Sequence, residues 1–162
     1  MRRSTLILII LMVLQGTKAA WWGLSDEMKA QAPLTYKAYV AEMTVEEFEL
    51  MSAVVEAESD RDIDEDSYNG RVLIALTILN RVEYPSFGSS ITSVITESGQ
   101  FQVYYEGTYK DVGRTELSDK AVIEAVKWAK EDHPNVIYFN CIGYNYLGTP
   151  YAYVGGNYFE TL

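Results

Sequence analysis

Apolar residues recur at helical spacing after Thr44. Val45, Phe48, Met51 and Val55 fall on one stripe when each residue advances about 100°. Thr44 and Glu47 stand three apart at the head of this run, the pattern of a reciprocal capping box. Glu46 and Glu47 suit the positive end of the helix dipole. The same phase carries Glu58 close to the centre of the apolar stripe and swings Glu56 well off it. Glu58 is therefore expected to be partly buried, and Glu56 to sit on the rim or in solvent.

Downstream the pattern changes. Residues 60–69 read as an acidic loop, and Val72 to Val82 as a second helix, apolar on nearly all sides and so deeply buried. Arg81 suits that helix's C-terminal dipole, and Pro85 stops its continuation. Ser89 and Ser90 start a short helix through Thr96. Ser98 and Gly99 break it, leaving Gln100 and Phe101 on a loop. Ser118 is expected to cap another helix, with Val122, Ala125, Val126 and Ala129 on its inner face. Val136 to Phe139 is a short β-like run. The tail from Tyr151 to Phe159 is rich in aromatics and glycine and has no helical period. The class is α+β, predominantly helical, with little sheet.

The head of the chain reads differently. Arg2 and Arg3, the apolar run Leu6 to Leu14, and the small residues around Ala19 and Ala20 predict a secretory signal over residues 1–20. The run is shorter than the ~20 apolar residues a comfortable membrane span needs. The expectation is a secreted, extracytoplasmic protein with no stable membrane insertion once the signal is removed. Residues 21–43 form a lead-in, in which Trp21 and Trp22 pack on the domain, and residues 44–162 form one catalytic domain. A span of this size holds no separate binding module, and the sequence has no internal repeat.

Charge narrows the partners. The 162 residues carry 13 basic and 23 acidic side chains. The predicted signal holds three of the basic ones (Arg2, Arg3 and Lys18) and no acid, which leaves 10 against 23. That balance excludes nucleic acid, whose recognition needs a basic footprint. It also disfavours anionic membranes. Cys141 is the single cysteine, so there is no internal disulfide. A cysteine hydrolase pairing Cys141 with His133 lacks an orienting group and any surrounding signature. Asp60, Asp62 and Asp64 alternate as in a calcium loop. However, Glu65 stands where that loop needs glycine, and Arg71 stands where its bidentate glutamate belongs. No metal and no cofactor is expected.

Glu58 is the candidate for chemistry. Burying an ionised carboxylate is costly unless it is paired or protonated. A carboxyl group kept protonated near neutral pH is what a glycosidase uses as its general acid.

Five stretches carry a family resemblance: Val55-Glu56-Ala57-Glu58-Ser59 followed by Gly70, Ile78-Leu79-Asn80-Arg81-Val82, Gly99-Gln100-Phe101, Ile137-Tyr138-Phe139-Asn140, and Gly155-Gly156-Asn157-Tyr158-Phe159. In that order and spacing, over roughly residues 47–160, the chain resembles the SleB-type cell wall hydrolases, the spore-cortex-lytic enzyme family. The resemblance implies a small lysozyme-like, lytic-transglycosylase-like domain acting on peptidoglycan glycan strands, with Glu58 as the catalytic residue. Two features depart from the family pattern. The acidic stretch after Glu58 replaces a short Gly-Glu segment, and the N-terminal peptidoglycan-binding repeats of longer members are missing.

Cleavage of the MurNAc–GlcNAc bond needs a proton on the leaving oxygen. A water-using hydrolase needs a second carboxylate besides. A lytic transglycosylase does not, because the sugar's own 6-hydroxyl attacks, and one glutamate serves as acid and then base. The single-glutamate route is favoured here, with Asp60 or Asp62 as second carboxylate if the acidic loop swings inward. Tyrosines stack on sugar faces while their hydroxyls hydrogen-bond, and the chain has 13 of them. Gln100, Tyr138, Asn157 and Tyr158 are the expected substrate-binding residues, and Asn80 and Arg81 the braces of a helix end. A monomer is expected. The alternative is a non-catalytic wall-binding or inhibitory module on the same fold, motivated by the acidic stretch and the missing repeats.

Overall fold

Three long helices and a small sheet organise the described residues. The computed structural model describes residues 17–60, 62–131 and 133–162. The basic and apolar part of the predicted signal, residues 2–14, lies outside the described residues.

The described residues open with three short helices, α1 (Lys18–Trp22), α2 (Asp26–Gln31) and α3 (Leu34–Val40). Trp21 is buried and meets Tyr36 edge-on, with ring centroids 6.2 Å apart. Trp22 is exposed, and Lys127 lies over its ring. One tryptophan thus joins the core, and the other covers the surface.

Next comes α4 (Val45–Glu58), opened by the expected box: Thr44 Oγ1 accepts from the Glu47 amide at 3.1 Å, and Glu47 Oε2 accepts from the Thr44 amide at 3.1 Å. Phe48, Met51, Val54 and Val55 are fully buried. Glu56 is buried too, against the expectation of a rim position. The reason is packing on several sides. Helices α5 (Glu65–Val82), α6 (Ile91–Ile95), α7 (Gln102–Tyr105), α8 (Thr108–Val112) and α9 (Glu116–Ala129) all contact α4, so it buries far more than one stripe.

Helix α5 begins seven residues before the apolar run, so much of the expected acidic loop is helical. Asp64 caps it by accepting from the Ser67 amide at 2.8 Å, and Glu65 and Asp66 occupy the positive dipole end. Hydrophobic periodicity detects only the part of a helix that faces apolar neighbours, and this N-terminal part is polar. From Val72 to Ile78 every residue is buried.

Helix α6 is capped by Ser90, as the pattern predicts. Helix α9 is capped by Thr115, not by Ser118, which is the third helical residue and completes the box from inside. Val122, Ala125 and Val126 face the core, whereas Ala129 in the last turn is exposed.

The sheet is antiparallel, in the order β1 (Val136–Asn140), β3 (Asn157–Thr161), β2 (Thr149–Val154). The aromatic tail is therefore a hairpin. Its turn is Gly155-Gly156 with φ of 53° and 76°, the left-handed pair that a two-residue hairpin turn requires. A Cβ on Gly70 would lie 2.8 Å from Gly155 Cα, so glycine at both positions lets α5 touch the hairpin turn. Asp66 reinforces this contact by accepting from the Gly155 amide at 2.8 Å.

Candidate active site

The last turn of α4 ends against the sheet. Ala57 and Glu58 open there onto a cleft of about 540 Å³. Its other walls come from the end of α5, the loop before α7, strand β1, and the start of β3. Glu58 is half-buried. Burial pushes its carboxyl group up to about 7. The backbone amide of Val103 and the positive charge of Arg81 pull the other way, and the charge of Glu106 adds a smaller push upward. A carboxyl group near 7 is divided between acid and base at neutral pH, which is what proton donation followed by proton recovery requires.

Among the described residues Arg81 is the cation that lines this cleft, and its role exceeds the helix-end brace expected of it. It is buried, and its Nε donates to the Ile137 carbonyl at 2.8 Å. Its guanidinium lies 5.0 Å from the centroid of Phe87 and 5.4 Å from that of Phe101. Burial lowers it to about 10, so it remains charged at neutral pH. Its Nη1 has no hydrogen-bond partner among the described residues. The signal was present in the sequence: Arg81 continues the buried phase of Ile74 and Ile78 at helical spacing. Asn80 next to it donates to the Val136 carbonyl at 2.8 Å, so the pair ties α5 to β1.

Of the four expected substrate-binding residues, Gln100, Tyr138 and Asn157 line the cleft with Glu58. Gln100 follows Gly99, whose φ of 80° turns the chain into the cleft wall. Tyr138 meets Phe87 edge-on, with centroids 6.3 Å apart. Asn157 is buried, and its Nδ2 lies 3.5 Å from the Glu58 carbonyl and 3.4 Å from that of Gly155. It thus ties the end of α4 to the hairpin turn as well as facing the cleft. Tyr158 is not among the lining residues. In register it lies opposite Asn140 of β1, and its ring packs against Tyr153 and Tyr144, with centroids 4.5 Å and 5.0 Å away.

The second glutamate of α4 has a different environment. Arg71 donates to Glu56 through Nε at 3.0 Å and Nη2 at 2.8 Å, and Thr115 Oγ1 donates to the same carboxylate at 2.7 Å. Arg71 Nη1 also holds the carbonyls of Asp62 and Ser67. Periodicity missed this buried pair, because a matched ion pair occupies positions that a hydrophobicity pattern reads as exposed.

Asp60 and Asp62 are exposed and do not line the cleft. Glu106 is exposed and bonded to Gln102. Cys141 is exposed at the cleft margin. His133 is stacked on Trp128, and its Nε2 lies 3.3 Å from Glu131. Among the described residues, no cluster of three or more His, Cys, Asp or Glu side chains is arranged to hold a metal ion.

The family model for cell wall hydrolases matches residues 65–147. That span contains Arg81, Gln100 and Tyr138 but not Glu58 or Asn157. Two solved structures resemble this one. The catalytic domain of the Bacillus cereus SleB protein is 25% identical, with a TM-score of 0.60 over 73% of this chain and 91% of that one. The catalytic domain of the germination-specific lytic transglycosylase SleB from Bacillus anthracis is 25% identical, with a TM-score of 0.57 over 71% of this chain and 93% of that one. No curated protein matches the chain. The fold is the lysozyme-like one of these catalytic domains, predominantly helical with a small sheet.

Proposed function

The chain belongs to the cell wall hydrolase family, and from that premise we propose that it is a secreted peptidoglycan glycosidase, cleaving between MurNAc and GlcNAc by a lytic transglycosylase mechanism with Glu58 as the sole acid and base. The observation that carries this reading is a half-buried carboxyl group, raised to about 7, facing a cleft lined by amides and aromatic rings.

In this mechanism protonated Glu58 gives its proton to the oxygen between the two sugars as the bond breaks. Arg81 favours the carboxylate so formed, because despite its burial it stays charged at neutral pH beside it. The carboxylate then takes the proton of the muramoyl 6-hydroxyl, which closes on the anomeric carbon, and Glu58 is protonated again. Gln100 and Tyr138 offer hydrogen bonds and a ring face for the sugars. An inverting hydrolase needs a second carboxylate across the bond, about 6.5–9.5 Å away, and a retaining one about 5–5.5 Å away. Among the described residues no second carboxylate lines the cleft, and this favours the one-glutamate route. The acidic stretch that motivated a non-catalytic module is used in capping α5.

The experiment is incubation of purified protein with peptidoglycan and mass spectrometry of what is released. Products lighter by one water, absent with Glu58→Gln, are expected. Reducing-end products would replace the lytic mechanism by hydrolysis. Binding without release would make the protein a wall-binding module.

A further inference from the structure

Beyond the cleft, the sheet carries tyrosines that do not line it and that the proposed reaction does not use. Tyr153 and Tyr158 are directly opposed across β2 and β3, with rings 4.5 Å apart at their centroids. Tyr144 closes on Tyr158 from the preceding loop, edge to face at 5.0 Å. Tyr153 is 58% exposed and Tyr146 80%, so ring surface faces solvent. Rings left in water in a contiguous group mark an interaction site more often than a packing accident.

The cluster is held in place. The loop that brings Tyr144 to Tyr158 is clasped from beneath by Glu160, a buried carboxylate that accepts from the amides of Tyr146, Leu147 and Gly148 at 2.8, 3.2 and 3.1 Å. The same loop sends Leu147 and Asn145 into the cleft wall. One loop therefore borders both surfaces, and a polymer leaving the cleft on that side meets the tyrosines next.

Charge selects the occupant. From residue 131 to residue 162 the sequence has no lysine or arginine. This segment itself therefore offers no lysine or arginine to a phosphate backbone or an anionic lipid surface. The exposed ring faces with hydroxyl tips fit the uncharged faces of sugar rings, which pair C–H groups with aromatic faces and hydroxyls with tyrosine oxygens. We propose that the tyrosine face built by Tyr144, Tyr153 and Tyr158 is a secondary glycan-binding surface, which holds the polysaccharide strand outside the cleft and substitutes for a separate wall-binding module. This inference rests on the proposed glycan substrate.

The test uses the full chain carrying Glu58→Gln, pelleted with insoluble peptidoglycan sacculi, with and without the pair Tyr144→Ala and Tyr153→Ala. Two aromatic contacts predict that the pair lowers the bound fraction's affinity roughly tenfold. Tyr153→Phe, which keeps the ring, should retain most of it. In the active protein the same pair should slow digestion of sacculi and leave turnover of a short soluble glycan fragment unchanged, since that fragment occupies only the cleft. Unaltered pelleting by the pair overturns the inference while leaving the enzyme reading intact. Equal loss of short-fragment turnover also overturns it, because the substitutions then act through the cleft. So does a dimer, or binding to phosphatidylethanolamine–phosphatidylglycerol vesicles, that the pair abolishes. A parent protein that neither pellets with nor cleaves sacculi removes the function reading and this inference together. Circular dichroism of each variant confirms that the fold is retained.

Discussion

Arg71 grips Glu56 with two parallel hydrogen bonds, 2.8 Å and 3.0 Å long, only one half-turn of helix away from Glu58. The two acids of one helix thus have opposite electrostatic surroundings. Glu56 faces a buried guanidinium and the Thr115 hydroxyl, and Glu58 faces a cleft. Removing one member of a buried pair leaves the other charge uncompensated, so Glu56→Ala should cost about 3–5 kcal/mol of stability. Replacing both members with apolar residues, as in Glu56→Leu with Arg71→Met, should cost less than the sum of the singles. Urea denaturation of the four proteins in a double-mutant cycle measures this. Additive losses would mean that the pair is not coupled.

Glu58 should make stability depend on pH in the opposite sense to a salt-bridged acid. Its folded value is about 7, above the unfolded value of 4.5. Below pH 4.5 both states hold the proton and the residue contributes nothing. Between 4.5 and 7 the folded state retains a proton that the unfolded state has lost, so folding becomes less favourable as pH rises. Above 7 the full penalty persists, at most roughly 3 kcal/mol at 1.36 kcal/mol per pH unit. Glu58→Gln should therefore raise the melting temperature at pH 8 and leave it nearly unchanged at pH 4. Thermal melts at the two pH values decide it, and an equal shift at both would mean that Glu58 titrates normally.

The contrast between these acids also shows how far the sequence could be read. The Thr44 box, the buried run after Val72 and the break at Gly99 are local signals, and each appears in the fold where the pattern put it. The phase of α4 put Glu58 at a half-buried position but misjudged Glu56, since a one-stripe rule does not describe a helix packed against six others among the described residues. The start of α5 and the cap of α9 were misread because polar first turns leave no hydrophobic trace. Three of the four expected cleft residues line it; Tyr158 does not, because its ring packs against Tyr144 and Tyr153, a tertiary contact that no local pattern encodes. Arg71 and Glu160 escaped notice because their partners lie 15 residues and 12 to 14 residues away and are fixed only by tertiary packing.

Arg81 should set the alkaline limit of activity. If Glu58 donates the proton, the rate falls as Glu58 ionises, around pH 7. The charge of Arg81 lowers the Glu58 value, so Arg81→Met should raise that value and move the alkaline limb of kcat against pH upward. Arg81→Lys, which keeps the charge but loses the bond to the Ile137 carbonyl, should move the limb less. A limb that stays in place in Arg81→Met, in protein shown to be folded by circular dichroism, would separate Arg81 from the acid.

Glu160 should act on the loop and not on the chemistry. Its carboxylate accepts three backbone amides from Tyr146, Leu147 and Gly148, and it is fully buried. Glutamine has one acceptor oxygen and presents an amino group to the remaining donors, so Glu160→Gln should leave at least one part-buried amide unpaired and cost about 1–3 kcal/mol. Because the loss is confined to the loop, protease cleavage should appear between Gly143 and Gly148 before global unfolding. With the acid and Arg81 untouched, the pH dependence of kcat should keep its shape while KM rises, since Leu147 and Asn145 in the cleft wall are released. A changed pH profile with an unchanged proteolysis pattern would show that Glu160 acts on the reacting groups instead.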